Sequence, residues 1–167
     1  MPLLIVFGGL PGTGKTTLSR ELARRLSATH LRIDTIEQSL KSAGLAVDGN
    51  GYAIANALAA DNLMLDRSVI ADCVNPVLAS RNGWRETALR CVARLVEIEI
   101  ICSDLAEHRR RVERRVADIK GLILPSWDEI TSRHYEPWDR NPFVLETAGA
   151  PIDRLVDELE AHVGRTM

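Results

Sequence analysis

Hydrophobic positions along the chain alternate between the spacing of a buried strand and that of an amphipathic helix. Leu3 to Phe7 is a short continuous apolar run, as expected for a strand covered on both faces of a parallel sheet. Leu18, Leu22 and Leu26 then recur every four residues with Ser19, Arg20, Glu21, Arg24 and Arg25 between them, which gives a helix with one apolar stripe. Leu31 to Ile33 reads as a second strand ending at Asp34, and Thr35 to Ser42 as a helix stopping before Gly44. The stretch AGLAVDGNG is loop by its glycines and its Asp and Asn content. Tyr52 to Arg67 reads as a helix, SVIAD as a third strand, and Pro76 opens a helix that runs through Trp84 to about Ala93. LVEIEIICS is a fourth strand whose early alternation suggests a place near the sheet edge. A helix from Leu105 to about Asp118, the stretch GLILPSW and a shorter helix through Tyr135 lead to a fifth strand, FVLET. Ile152, Leu155, Val156, Leu159 and Val163 form the stripe of a last helix.

Five strands separated by helices predict an α/β fold of three layers: a parallel five-stranded sheet with helices on both faces and right-handed crossovers. Ligands of such sheets bind at the carboxyl ends of the strands. No internal repeat or linker-like composition divides the 167 residues, so residues 1–167 read as a single domain.

Composition narrows the partners. With 46% hydrophobic and 26% charged residues and a formal net charge of −2, the chain has no global signature of nucleic-acid binding. No apolar run approaches the roughly 18 residues of a membrane span, and the apolar N-terminus lacks a basic leader and runs straight into a glycine turn. Cys73, Cys91 and Cys102 are odd in number, share no metal-ligand spacing and lie in or beside apolar stretches, as buried reduced thiols do. A cytoplasmic protein with no membrane association, monomer or dimer, is expected.

The candidate chemistry starts at residues 8–17, GGLPGTGKTT. Gly9, Gly14, Lys15 and Thr16 fill every fixed position of G-x-x-x-x-G-K-[ST] between a strand and a helix, the context this Walker A pattern requires. Its glycines let successive N–H groups turn toward an anion, and the helix N-terminus adds its positive end. Gly9, Pro11, Gly12, Thr13, Gly14, Lys15, Thr16 and Thr17 are the expected nucleotide contacts. Lys15 supplies a mobile charge for the phosphates, and the Thr16 hydroxyl suits the octahedral shell of Mg²⁺.

Two aspartates follow strands. Asp72 suits the metal shell and could also touch substrate; its bland alternative is a turn with Asn75 and Pro76. Asp34 suits an acceptor hydroxyl as general base; its bland alternative is the N-cap of the helix beginning at Thr35. HRRRVERR, residues 108–115, holds five arginines, of which Arg111 and Arg115 sit four apart and face one way. They could close over phosphates as a lid, track a nucleic-acid backbone, or merely form a solvated face. Arg133 is a further lid candidate. His108 and His134 read as ordinary surface or packing residues, and Trp84, Trp127 and Trp138 as core or loop anchors.

The glycine turn, RID after the second strand, VIADCVNP at the third, the arginine helix and HYEPW together resemble the small P-loop kinases grouped around polynucleotide kinase, gluconate kinase, shikimate kinase and chloramphenicol phosphotransferase. The resemblance spans nearly the whole chain. It implies a P-loop NTPase fold with a helical lid at about 105–135, ATP and Mg²⁺ as cofactors, and transfer of the γ-phosphoryl group to a hydroxyl of a small molecule. It also implies an acceptor contact at Asp34, a metal or substrate contact at Asp72, and lid arginines. ETAGAP, after the fifth strand, would then lie beside the adenine. The alternatives are a 5′-hydroxyl polynucleotide kinase and a non-kinase ATP-binding or ATPase switch module. One position departs: many relatives have D-x-x-R after strand two, whereas this chain reads Asp34-Thr35-Ile36-Glu37, which argues against an anionic acceptor. Tyr52, Glu37 and the AGLAVDGNG loop are the expected lining of the acceptor pocket.

Overall fold

Residues 1–165 are described by a computed structural model. The apolar run at the N-terminus forms β1 (Leu3–Gly8), buried at all six positions and flanked on both sides, as its lack of alternation requires. All five strands are parallel, in the order β2-β3-β1-β4-β5, with β2 (Thr29–Arg32), β3 (Val69–Asp72), β4 (Arg94–Ile101) and β5 (Phe143–Glu146). The pleat sends Leu3, Ile5 and Phe7 to one face, where they meet α1 (Lys15–Leu26) and α7 (Ile152–Arg165) through Leu18, Leu22, Val156 and Leu159. Leu4 and Val6 go to the other, against α3 (Asn50–Leu63) and α4 (Leu78–Arg90) through Ala59, Leu63 and Trp84. This is the expected three-layer α/β architecture. Each of these fully buried large side chains contributes roughly 1.5–3 kcal/mol relative to exposure.

Three local departures shape the site. First, β2 is only four residues long, and α2 (Ile33–Ser42) begins at the inward-facing Ile33, which is 4% exposed. Asp34 therefore lies in the first turn of a helix rather than at a strand end. The N-cap position belongs to Arg32 and carries no side-chain capping bond, so the capping alternative for Asp34 falls away.

Second, β4 is not an edge strand; it pairs with both β1 and β5. Its alternation has another cause. Glu97 accepts from Arg85 Nε at 2.9 Å and Glu99 accepts from the Tyr135 hydroxyl at 3.0 Å, because α4 and residues 133–140 bring polar groups to that face. Third, α5 (Leu105–Arg114) ends before Arg115, whose ψ of 133° turns the chain into an extended segment. Arg111 and Arg115 thus do not continue one helical face. α6 (Trp127–Thr131), capped reciprocally by Ser126 and Glu129, closes the segment that follows.

Candidate active site

The loop from Gly9 to Gly14 joins β1 to α1. Gly14 occupies the N-cap position with φ 106°, and among the described residues no atom beyond its chain neighbours lies within 4 Å of where a Cβ would stand, so the backbone there faces open space. Lys15 is buried, and its Nζ donates to the Leu10 carbonyl at 2.8 Å, an oxygen that also accepts from the Thr13 hydroxyl at 2.9 Å. Burial pushes the Lys15 ammonium down to about 8, against the pull of Asp72 and Asp34. A cation held out of water in the lining of a cleft suits a multiply charged anion.

Register puts Arg32, Asp72 and Phe7 side by side at the carboxyl ends of β2, β3 and β1. Asp72 is 4% exposed, and among the described residues its buried Oδ2 has no hydrogen bond; its ion pair with Arg32 Nε spans 3.8 Å. A buried carboxylate oxygen without a donor is costly unless a ligand completes it. Among the described residues there is no cluster of three or more His, Cys, Asp or Glu side chains that could hold a metal. Asp72 and the Thr16 hydroxyl nevertheless suit Mg²⁺, which typically takes one or two protein oxygens and completes its octahedron from phosphates and water.

The N-terminal part of the expected lid is seated on the glycine loop. His108, 4% exposed, donates from Nε2 to the Pro11 carbonyl at 2.8 Å and meets the Trp127 ring edge-on. A Cβ on Gly12 would stand 2.5 Å from Val112 Cγ2, so this glycine makes room for α5. Arg111 Nη1 donates to the Thr147 hydroxyl at 2.8 Å and the Thr13 carbonyl at 3.3 Å. Its Nη2 donates to the Thr147 carbonyl and to Glu107. Arg111 thereby ties α5, the loop after β5 and the glycine loop together.

Arg115 takes the other direction, with Nη2 4.0 Å from Asp34 Oδ2. Asp34 also lies 3.6 Å from Arg32 Nη2. Arg32, 5% exposed, grips both oxygens of Asp118 with Nη1 at 2.8 and 3.0 Å, and Arg20 adds a contact at 3.0 Å. The Arg32 bond, with Arg20 behind it, draws the Asp118 carboxyl down to about 2. The segment between α5 and α6 is therefore moored to the sheet by one carboxylate.

A cleft of about 640 Å³ unites these groups. Pro11 to Thr17, Asp34, Asp72, Arg111, Arg115 and Arg133 all line it, together with Glu37 and Tyr52. Gly9 lies deeper, and its N–H donates to the Val74 carbonyl at 3.0 Å. Thr147, Ala150 and Ile152 bring the loop after β5 to one end, and Val116 and Leu122 to Pro125 wall the other. Among the described residues none of the loop 43–51 is in the lining, so that part of the expected pocket does not reach it. Sequence reasoning missed Arg32, Asp118 and His108. A lone arginine between Leu31 and Ile33, two residues before an aspartate, was a signal for the first; nothing local marked the other two.

The all-parallel sheet, the glycine loop and the helix behind it define a nucleotide-binding P-loop NTPase fold of the small-kinase type. The family described as AAA domain matches residues 4–137, and the chain belongs to it. No curated protein matches the chain. Among solved structures it is similar to a gluconokinase from Sinorhizobium meliloti 1021, at 18% identity and TM-score 0.70 over 99% of this chain and 93% of that one. It is similar to the Mycobacterium tuberculosis APS kinase CysC in complex with AMPPNP and APS, at 19% identity and TM-score 0.76 over 98% of each chain. It is also similar to Chaetomium thermophilum Kti12 in complex with ADP-AlF3, at 23% identity and TM-score 0.69 over 95% and 97%.

Proposed function

We propose that the protein is an ATP-dependent, Mg²⁺-requiring kinase that phosphorylates a hydroxyl of a small molecule in the cytoplasm. The observation that carries this reading is the position of Asp34. It lines the same cleft as Lys15 and Asp72 but follows β2, at the sheet edge opposite β5 and the loop after it. The similarity to solved kinases supports it. The glycine loop and Lys15 bind the triphosphate, and Thr16 with Asp72 would hold Mg²⁺, which when bound neutralises charge on the phosphate oxygens. Asp34 orients the acceptor hydroxyl and takes its proton. The new bond joins that oxygen to the γ-phosphorus, the bond to the bridging oxygen breaks, and ADP leaves. Arg115, beside Asp34, and Arg133 donate to oxygens of the transferring group, while the wall at residues 116–125 excludes water.

The test is a screen of hydroxyl compounds for ATP-dependent phosphate incorporation, repeated with Asp34→Asn. Because Asp34 does not cap α2, the substitution should leave melting temperature and ATP affinity nearly unchanged while transfer falls roughly 10²- to 10⁴-fold. Full transfer by the Asn variant would remove Asp34 from the mechanism. Acceptor-independent ATP hydrolysis matching the fastest transfer rate would favour the ATPase module instead, a reading that the likeness to Kti12 with ADP-AlF3 keeps in view.

A further inference from the structure

We propose that Arg32 is a positioning residue of the transfer reaction, whose guanidinium sets the places of both Asp34 and Asp72 and is itself held by Asp118 from the segment that walls the cleft; this rests on the kinase reading above. Arg32 ends β2 beside Asp72 in the register of the sheet, and its side chain is 4% exposed. Each of its three nitrogens faces a different carboxylate from a different part of the chain. Nη1 donates to both oxygens of Asp118, Nη2 stands 3.6 Å from Asp34 Oδ2 in the first turn of α2, and Nε stands 3.8 Å from Asp72 Oδ2 at the end of β3. Among the described residues no other cation lies within ion-pair distance of all three.

Mooring the segment after α5 uses only part of this group. The Nη1 bonds to Asp118 supply the mooring, and Arg20 reinforces it at 3.0 Å. Nε and Nη2 are buried and, among the described residues, have no hydrogen-bond partner; the same holds for Asp72 Oδ2. Buried donors without acceptors destabilise a fold. A guanidinium that served only as a tether would gain nothing by aiming two of them at the two aspartates of the cleft. Both distances lie just beyond hydrogen-bond range, and contacts of catalytic groups are often long until the reactants are bound. A modest turn of either carboxylate brings it onto the fork.

Positive charge is ample here without Arg32. Arg20 meets Asp118, Arg115 stands 4.0 Å from Asp34, and Lys15, bonded to the Leu10 carbonyl, acts on Asp72 and Asp34 through space. What Arg32 adds is direction. Its N–H groups point at fixed angles in one plane, so the fork sets two carboxylates relative to each other in a way that a rotating ammonium does not. The transfer needs that relation, because Asp34 takes the hydroxyl proton while Asp72 faces the metal, and a misplacement of about 1 Å at a reacting centre can cost roughly 10²-fold in rate. Asp118 belongs to residues 115–126, whose Val116 and Leu122 to Pro125 wall the cleft. The fork is therefore held in place by the same segment that closes off the site.

The experiment measures kcat and KM with ATP and the best acceptor among glucose, ribose, myo-inositol and adenosine, beside calorimetric affinity for ATP with Mg²⁺ and melting curves. The proteins are wild type, Arg32→Lys, Asp118→Asn, Asp34→Asn, and each of the first two substitutions combined with Asp34→Asn. Arg32→Lys keeps the charge and loses the fork, so it should lower kcat roughly 10²-fold while nucleotide affinity changes by less than about threefold. Asp118→Asn loosens the mooring but leaves the guanidinium facing both aspartates, so its kcat loss should stay below about tenfold. On the Asp34→Asn background the Arg32→Lys loss should shrink at least about tenfold, because a base that is absent cannot be misplaced. A tether alone predicts equal kcat losses in Arg32→Lys and Asp118→Asn, following the fall in melting temperature and carried undiminished onto Asp34→Asn. Equal losses, or an undiminished one, overturn the positioning role and leave the kinase reading standing. Should Arg32→Lys fail to fold, Asp118→Asn decides, since its smaller loss must also shrink on Asp34→Asn. Phosphate transfer to no hydroxyl compound at all overturns both.

Discussion

Arg111 and Arg115 stand four positions apart in sequence, yet their guanidinium groups face opposite tasks. Arg111 is already saturated by the Thr13 carbonyl, both oxygens of Thr147 and Glu107. Removing it takes a charged donor from both loops, leaving the Thr13 carbonyl to the Thr147 hydroxyl at 2.8 Å and the Thr147 carbonyl to the Ala150 N–H at 3.5 Å, a loss of about 1–3 kcal/mol. Among the described residues Arg115 has one distant ion pair, with Asp34, and it lines the cleft. We expect Arg111→Ala to lower the melting temperature by several degrees, and Arg115→Ala to leave it within about a degree while slowing transfer roughly 10²- to 10³-fold. Melting curves and single-turnover rates on the two variants check this. A catalytic loss in Arg111→Ala with no thermal cost would return it to the role that the sequence pattern suggests.

Helices and strands carry the same division between what a local pattern encodes and what only packing decides. The five strands and the phosphate loop were legible because their signals are local: an unbroken apolar run, a complete glycine motif, leucines at helical spacing. The site's other half was not, because its determinants come from distant chain segments. Alternation in β4 pointed to an edge, but the polar face of that strand is matched by Arg85 and Tyr135, neither of which could be placed there from sequence. His108 passed as a packing residue, although its ring holds the glycine loop through Pro11. Arg81 is the clearest case. It is fully buried, donates to the carbonyls of Asn75, Glu136 and Pro137, and lies 4.2 Å from the Trp138 ring centroid, so it fastens HYEPW to α4. Arg81→Leu leaves three carbonyls without donors and should cost about 3 kcal/mol or more in chemical denaturation. A loss below about 1 kcal/mol would mean that water replaces the guanidinium and that the segment is held by other contacts.

For the whole molecule, the phosphate site is a region where affinity is bought with stability. Lys15 titrates at about 8 in the folded chain against an ordinary value of 10.5. Keeping it charged at pH 7 therefore costs the nucleotide-free fold about 3 kcal/mol. The sign follows from proton counts: between those values the unfolded chain binds the extra proton, so stability rises with pH. The rise is clearest from about pH 7.5 to 8.5, where the gain is about 0.7 kcal/mol. Above that the opposite effect grows, since burial pushes the Cys73 thiol up to about 12 and the folded chain keeps a proton that the unfolded one loses from about pH 8.5 upward. Lys15→Met removes the buried charge, and the Leu10 carbonyl still has the Thr13 hydroxyl as donor. The variant without nucleotide should melt higher than wild type at pH 7 and lose the rise between about pH 7.5 and 8.5. With ATP and Mg²⁺ at about 100 times the dissociation constant, wild type should gain about 2.7 kcal/mol, or roughly 5–10 °C, while Lys15→Met gains almost nothing. Melting curves with and without nucleotide should thus cross in order between the two proteins. A variant that is less stable than wild type when nucleotide-free, or that keeps the full nucleotide shift, would show that Lys15 supports the fold rather than the phosphates.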